Sequence, residues 1–86
     1  MAIEIDLQDE KALITGSGAG IGREIAIWLA RSGATVVVND MIYDRANSVA
    51  DEIIREGGKA IPITADCRDD AAVDELVKRS FEVMGG

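Results

Sequence analysis

The 86-residue sequence contains no histidine and only one cysteine, Cys67. A lone cysteine cannot form a disulfide within the chain, and without histidine there is no cysteine–histidine metal site. Carboxylates alone can bind magnesium or calcium, but the acidic residues show no EF-hand spacing. We therefore assign no metal ligands.

Basic side chains are also few, and long apolar runs are absent. The chain has nine lysines and arginines and sixteen acidic residues, which give a net charge of −7. The basic residues are scattered along the sequence. This distribution argues against a nucleic-acid or anionic-membrane partner. No apolar run approaches the roughly 18 residues of a membrane span, and residues 1–6 show no basic region or signal-peptide core. We therefore expect no nucleic acid, no membrane and a cytoplasmic location.

The chain is long enough for one domain at most. Along it, apolar stretches with the periodicity of a strand alternate with stretches that have the periodicity of a helix. They predict strands over Lys11–Thr15, Ala34–Asn39 and Ala60–Ala65, and helices over Gly20–Arg31, Asp44–Glu56 and Asp69–Met84. The strands are apolar on both faces, which suits a parallel sheet covered by helices on both sides. Right-handed crossovers then give the strand order 3-2-1, an α/β fold with a doubly wound parallel sheet.

Each predicted helix carries one apolar stripe, which we expect to face the sheet. A stripe of this kind buries one side of a helix and leaves the opposite side in water. The stripes are Ile21, Ile25, Trp28 and Leu29 in the first helix, Ala46, Val49, Ala50, Ile53 and Ile54 in the second, and Val73, Leu76, Val77 and Phe81 in the third.

A turn with four glycines, Gly16, Gly18, Gly20 and Gly22, joins the first strand to the first helix. The first backbone N–H groups of a helix lack partners, and together with the helix dipole they attract phosphate. Glycine suits the turn because a β-carbon would obstruct either the turn or the ligand. The spacing GxxxGxG differs from the usual GxGxxG of dinucleotide folds, so the glycines alone are a weak indication of a pyrophosphate site.

Asp40 follows the second predicted strand, at about the distance expected for an acid that binds the adenosine ribose. Its carboxylate can accept hydrogen bonds from both ribose hydroxyls and would repel the extra phosphate of NADP. Neither Ile21 nor Met41 carries a charge that would attract that phosphate. The sequence therefore favours NAD over NADP. The alternative interpretation of Asp40 is a solvated acid that closes a strand.

The glycine turn resembles the TGxxxGIG signature of the short-chain dehydrogenase/reductase family, carried here as Thr15-Gly16-Ser17-Gly18-Ala19-Gly20-Ile21-Gly22. Val37-Val38-Asn39-Asp40 is similar to the family's second strand, and Ala65-Asp66-Cys67 to the end of its third. The resemblance covers nearly the whole chain. It implies that residues 1–86 are the N-terminal part of a single NAD(P)-binding Rossmann domain, ending before the fourth strand.

The resemblance also implies which residues contact the cofactor. Backbone groups of the turn would line the dinucleotide at Gly16, Gly18, Ala19, Gly20 and Ile21, and Gly22 would permit close helix packing. Asp40 would hold the ribose, and Asp66 with Cys67 would contact adenine. The strand-end position of Asp66 agrees with this role, although an acid capping the next helix is the alternative. We interpret Cys67 as a small apolar lining group, with a reactive thiol as the alternative.

By the same resemblance, the catalytic groups lie outside this chain. The family continues with a fourth strand carrying Asn-Asn-Ala-Gly, then a serine and a Tyr-x-x-x-Lys pair, and residues 1–86 contain none of them. The only tyrosine, Tyr43, is followed four places later by Asn47 instead of lysine. We assign no catalytic residue. Without the fourth strand the first strand has a bare edge, and we expect marginal stability or self-association.

The favoured hypothesis is the dinucleotide-binding portion of an NAD-dependent oxidoreductase that interconverts an alcohol and a carbonyl. The resemblance implies a small-molecule substrate and a homo-oligomer for the complete protein. Two alternatives are a stand-alone nucleotide-binding or regulatory module and an inert truncated product, because a fold by itself does not specify function.

Overall fold

Strands and helices alternate along the chain in the computed structural model, which describes residues 8–85. In order they are β1 (Lys11–Ile14), α1 (Gly20–Arg31), β2 (Thr35–Asp40), α2 (Tyr43–Arg55), β3 (Lys59–Thr64) and α3 (Asp70–Met84). The predicted elements are confirmed, with every boundary within one residue of its expected place. The prediction that residues 1–6 carry no signal peptide lies outside the described residues.

The three strands form one parallel sheet with β2 in the centre. Leu13 of β1 is in register with Val37 of β2, which is in register with Ile61 of β3. The order β1-β2-β3 is the predicted order 3-2-1 read from the opposite edge. Because the strands are parallel, their carboxyl ends share one edge of the sheet. The glycine turn, Asp40 and the segment after β3 therefore meet there.

Successive side chains of β2 point to opposite faces of the sheet, so β2 contributes to an apolar core on each face. Val36 and Val38 pack against α1 and α2, whereas Val37 packs against Leu76 of α3 and Ile63 of β3. All three valines are 0% exposed. The prediction of a strand apolar on both faces, with helices on both sides of the sheet, is confirmed.

The predicted apolar stripe of α1 is wrong. Ile21 is 79% exposed, Ile25 45% and Trp28 55%, and only Leu29 of that stripe packs against the core. The residues of α1 that face the sheet are instead Ala26, Ile27 and Ala30. The small side chains of Ala26 and Ala30 let the helix approach the strands closely, and the rotation that buries them beside Ile27 leaves Trp28 exposed.

The stripes of the other two helices are correct in part. In α2 only Ile54 departs from the predicted buried set, whereas in α3 Leu76 is buried but Val77 and Phe81 are exposed. Exposed apolar side chains therefore lie on both α1 and α3. Within residues 8–85, no helix has both the length and the apolar character needed to cross a membrane.

Candidate functional site

The glycine turn leaves the N-terminus of α1 open. Gly16 and Gly20 have positive φ values, +61° and +59°, which glycine adopts without a steric penalty. The N-cap residue, Ala19, has no side chain that caps the helix, and the first turn contains no acid. The first intrahelical bond runs from the Arg23 N–H to the Ala19 carbonyl at 3.3 Å. The N–H groups of the first three helical residues therefore point out of the helix end, where the dipole favours an anion.

At the other two positions of the turn, Gly18 and Gly22, there is no room for a side chain. A β-carbon on Gly18 would lie 2.6 Å from Asp40 Oδ2 and 2.5 Å from Arg45 Cβ. A β-carbon on Gly22 would lie 2.5 Å from the Gly16 carbonyl oxygen. The turn is thus packed tightly against both the end of β2 and its own helix.

Asp40 is the last residue of β2 and is only 7% exposed. Its Oδ2 accepts the Gly18 N–H at 3.1 Å, and its Oδ1 accepts the Ile42 N–H at 2.9 Å. A carboxylate has about four acceptor positions, so each oxygen retains one for a ligand hydroxyl. The alternative of a solvated acid closing the strand does not fit this burial. The carboxylate is fixed directly beside the glycine turn.

Asp66 lies just beyond β3, where its carboxylate pairs with Arg68. Arg68 Nη2 donates to Oδ2 at 2.8 Å, Arg68 Nε donates to Oδ1 at 3.0 Å, and the Arg68 backbone N–H donates to Oδ1 at 2.9 Å. These bonds lower the pKa of Asp66 from its ordinary 3.8 to about 2. The helix-capping alternative is wrong, because Asp69 accepts the Ala71 N–H and caps α3 instead.

A recess of about 230 Å³ opens between the ends of β2 and β3. Its lining consists of Gly16, Asn39, Asp40, Met41, Ala65, Asp66, Cys67 and Arg68. Four of the nine predicted site residues therefore meet in one recess, and the other five lie in the adjoining turn and helix start. A larger depression, about 550 Å³, follows the exposed side of α1. Its charged residues, Arg23 and Glu24, pair with each other at 2.8 Å, so it offers few polar groups for a ligand.

Comparison with known proteins agrees with this geometry. The family model described as short chain dehydrogenase matches residues 10–86. The chain belongs to the short-chain dehydrogenase family. Members of this family are oxidoreductases that bind nicotinamide dinucleotides, and the nucleotide-binding Rossmann fold follows from membership.

Two curated relatives illustrate the similarity. It is 43% identical over 79 residues to 7alpha-hydroxysteroid dehydrogenase of Escherichia coli, covering 92% of this chain and 31% of that protein. It is 37% identical over 79 residues to (2S)-[(R)-hydroxy(phenyl)methyl]succinyl-CoA dehydrogenase subunit BbsD of Thauera aromatica. This match covers 92% of this chain and 32% of that protein.

Solved structures give the same result. A 7 alpha-hydroxysteroid dehydrogenase complexed with NADH and 7-oxo glycochenodeoxycholic acid superposes with a TM-score of 0.92 at 41% identity, covering 95% of this chain and 32% of that one. A hydroxysteroid dehydrogenase from Escherichia coli superposes with a TM-score of 0.91 at 42% identity, covering 93% of this chain and 33% of that one. This chain therefore spans about a third of the length of these short-chain dehydrogenases.

The sequence interpretation missed four residues that line the recess, Asn39, Met41, Ala65 and Arg68. Arg68 Nη2 lies 3.3 Å from Met41 Sδ, so the two side chains meet across the recess. Only Asn39 had a signal in the sequence, as a polar residue that continues a run of buried valines. The thiol of Cys67 donates a hydrogen bond to Asn39 Oδ1 at 3.4 Å, so Cys67 is more than an apolar lining group.

Proposed function

We propose that this chain is the NAD-binding portion of a short-chain oxidoreductase that interconverts an alcohol and a carbonyl. The pyrophosphate binds at the open N-terminus of α1 and the glycine turn, through backbone groups of Gly16, Gly18, Ala19, Gly20 and Ile21. Asp40 binds the adenosine ribose, and adenine enters the recess beside Asp66 and Cys67. Gly22 keeps α1 close to the turn.

The fixed carboxylate of Asp40 is the observation that carries this proposal. Two backbone N–H groups, from Gly18 and Ile42, orient it beside the turn before any ligand arrives. Its remaining acceptor positions suit the two ribose hydroxyls, and its charge disfavours a 2′-phosphate. Arg68, which lines the recess, is paired with Asp66 at 2.8 Å, so its guanidinium already has a carboxylate partner. NAD is therefore the preferred cofactor, with NADP bound more weakly.

NAD supplies hydride transfer at its nicotinamide when bound. The residues of this chain bind and orient the adenosine diphosphate half of that cofactor, and none of them is assigned to proton transfer. In this proposal residues 1–86 are the first part of a single NAD(P)-binding Rossmann domain, and the groups that transfer the proton lie after Gly86. The complete protein is a cytoplasmic homo-oligomer acting on a small-molecule alcohol or carbonyl.

Isothermal titration calorimetry with NAD and NADP tests the proposal. We expect NAD to bind more tightly, and Asp40→Ala to weaken NAD binding by about 1.5 to 3 kcal/mol, the value of hydrogen bonds to a charged group. Asp40→Ala should also reduce the preference for NAD over NADP, because the repelling charge is gone. Asp51→Ala, which removes an exposed acid from α2, is the matched control and should bind as the wild type does.

Two results would contradict the proposal. If the folded wild-type chain binds neither dinucleotide, it has no cofactor site and the inert interpretation stands. If NADP binds as tightly as NAD, or if Asp40→Ala and Asp51→Ala behave alike, Asp40 does not select the ribose.

A further inference from the structure

Asn39 is a buried polar residue at the carboxyl end of β2, with 1% of its surface exposed. Its side chain reaches across to the neighbouring strand end. Nδ2 donates to the Ile63 carbonyl at 3.0 Å and to the Ala65 carbonyl at 3.4 Å, and Oδ1 accepts the Cys67 thiol at 3.4 Å. Ala65 and Cys67 lie beyond the last residue of β3. The Ala65 N–H still donates to the Asp40 carbonyl at 3.2 Å, and the amide of Asn39 adds side-chain hydrogen bonds that hold the segment from Ala65 to Cys67 against β2.

The backbone of Asn39 is bonded to the glycine turn on its other side. Its N–H donates to Ser17 Oγ at 3.0 Å, and its carbonyl accepts the Ser17 N–H at 2.7 Å. Ser17 is 0% exposed, and its hydroxyl also donates to the Ile14 carbonyl at 2.7 Å. Ser17 and Asn39 thus connect the end of β1 to the end of β2, with no buried polar side-chain atom in residues 8–85 left without a partner.

We propose that Asn39 is a positioning residue for the dinucleotide site, which rests on the function proposed above. Three parts of the site lie on separate segments: the turn after β1, Asp40 after Asn39, and the Asp66–Cys67 segment after β3. Asn39 is hydrogen-bonded to the turn and to the segment after β3, and it directly precedes Asp40 in the chain. Buried networks in which every member is satisfied rigidify their surroundings. Asn39 therefore sets the spacing between the pyrophosphate end and the adenine end of the site.

A positioning role and a purely structural role predict different results for Asn39→Leu. Leucine has a similar size but leaves the Ile63 and Ala65 carbonyls and the Cys67 thiol without their partner. We expect NAD binding to weaken about tenfold or more at a temperature well below unfolding. We also expect faster modification of the exposed Cys67 by a thiol reagent. Val49→Ala, a core truncation in α2, should lower the unfolding temperature without changing either measurement.

Asn39→Asp supplies a second variant should the leucine variant fail to fold. A protonated aspartic acid can still donate to the Ile63 carbonyl, whereas the carboxylate cannot and would face two carbonyl oxygens. Burial and these carbonyls raise the pKa of such an acid. The affinity of Asn39→Asp for NAD, relative to the wild type at the same pH, should therefore improve as the pH is lowered.

The outcomes separate the two proposals. If the wild type does not bind NAD, the proposed function fails and this inference fails with it. If the wild type binds NAD while both Asn39 variants bind equally well at every pH, and Cys67 reacts at the wild-type rate, only the positioning role is overturned. Weaker binding in the Asn39 variants but not in Val49→Ala supports it.

Discussion

Gly22→Ala places a methyl group at the closest contact between α1 and the glycine turn. The new β-carbon would lie 2.5 Å from the Gly16 carbonyl oxygen and 3.1 Å from Ser17 Cα. Both neighbours are backbone atoms, so no side chain can rotate away to make room. The helix and the turn must therefore move apart, and the open helix end moves relative to Asp40.

Two opposing effects set the size of the change. Alanine is favoured over glycine within a helix by about 1 kcal/mol. Overpacking a tight contact costs about 1 to 3 kcal/mol. We therefore expect a net loss of unfolding free energy of about 1 kcal/mol, together with weaker NAD binding because the turn is displaced.

Urea denaturation followed by circular dichroism and by the fluorescence of Trp28, the only tryptophan, measures the stability, and calorimetry measures NAD binding. Ile25→Ala, one turn further along α1 at a half-exposed position, is the control. It introduces the same residue without a clash and should leave NAD binding unchanged. A Gly22→Ala variant that is about 1 kcal/mol more stable than the wild type, with unchanged NAD affinity, would show that the contact at Gly22 is not tight.

Further predictions concern the Asp66–Arg68 pair and the exposed apolar side chains. Arg68→Ala should raise the pKa of Asp66 from about 2 toward 3.8, as followed by NMR of the carboxyl group; an unchanged value would exclude the Arg68 side chain as the main cause. Because the folded-state pKa is lowered, ionised Asp66 stabilises the fold above about pH 4, and this contribution is lost as the pH falls toward 2. The stability difference between the wild type and Arg68→Ala should therefore shrink over that range. The 86-residue chain should also self-associate through the edge of β1 and through exposed apolar side chains such as Trp28 and Phe81. Sedimentation should depend on concentration, and less so in Trp28→Lys; a monomer at every concentration would contradict this.

The fold was predictable because its signals are local. Alternating strand and helix periodicity, the glycines at the start of α1 and the three valines of β2 each constrain the backbone without reference to distant residues. The position of Asp40 beside the glycine turn also follows from these elements, since parallel strands place their carboxyl ends at one edge.

The details that the sequence did not predict depend on contacts between distant segments. The rotation of α1, which buries Ala26 and Ala30 and exposes Trp28, is set by how closely the helix approaches the sheet. Periodicity identifies an apolar side of a helix but not the shape of the surface that it meets. The pairing of Asp66 with Arg68 depends on a side-chain orientation in a loop, and a sequence pattern carries no such information.

In the proposed function, the N–H groups at the start of α1 and the carboxylate of Asp40 together bind NAD. Titration of the ¹⁵N-labelled chain with NAD tests it most directly, because each backbone N–H reports separately. We expect the largest shifts at Gly18, Gly20, Ile21 and Ile42. Shifts confined to α3 or to the part of α1 around Ile25 and Trp28, with these four amides unchanged, would contradict this assignment.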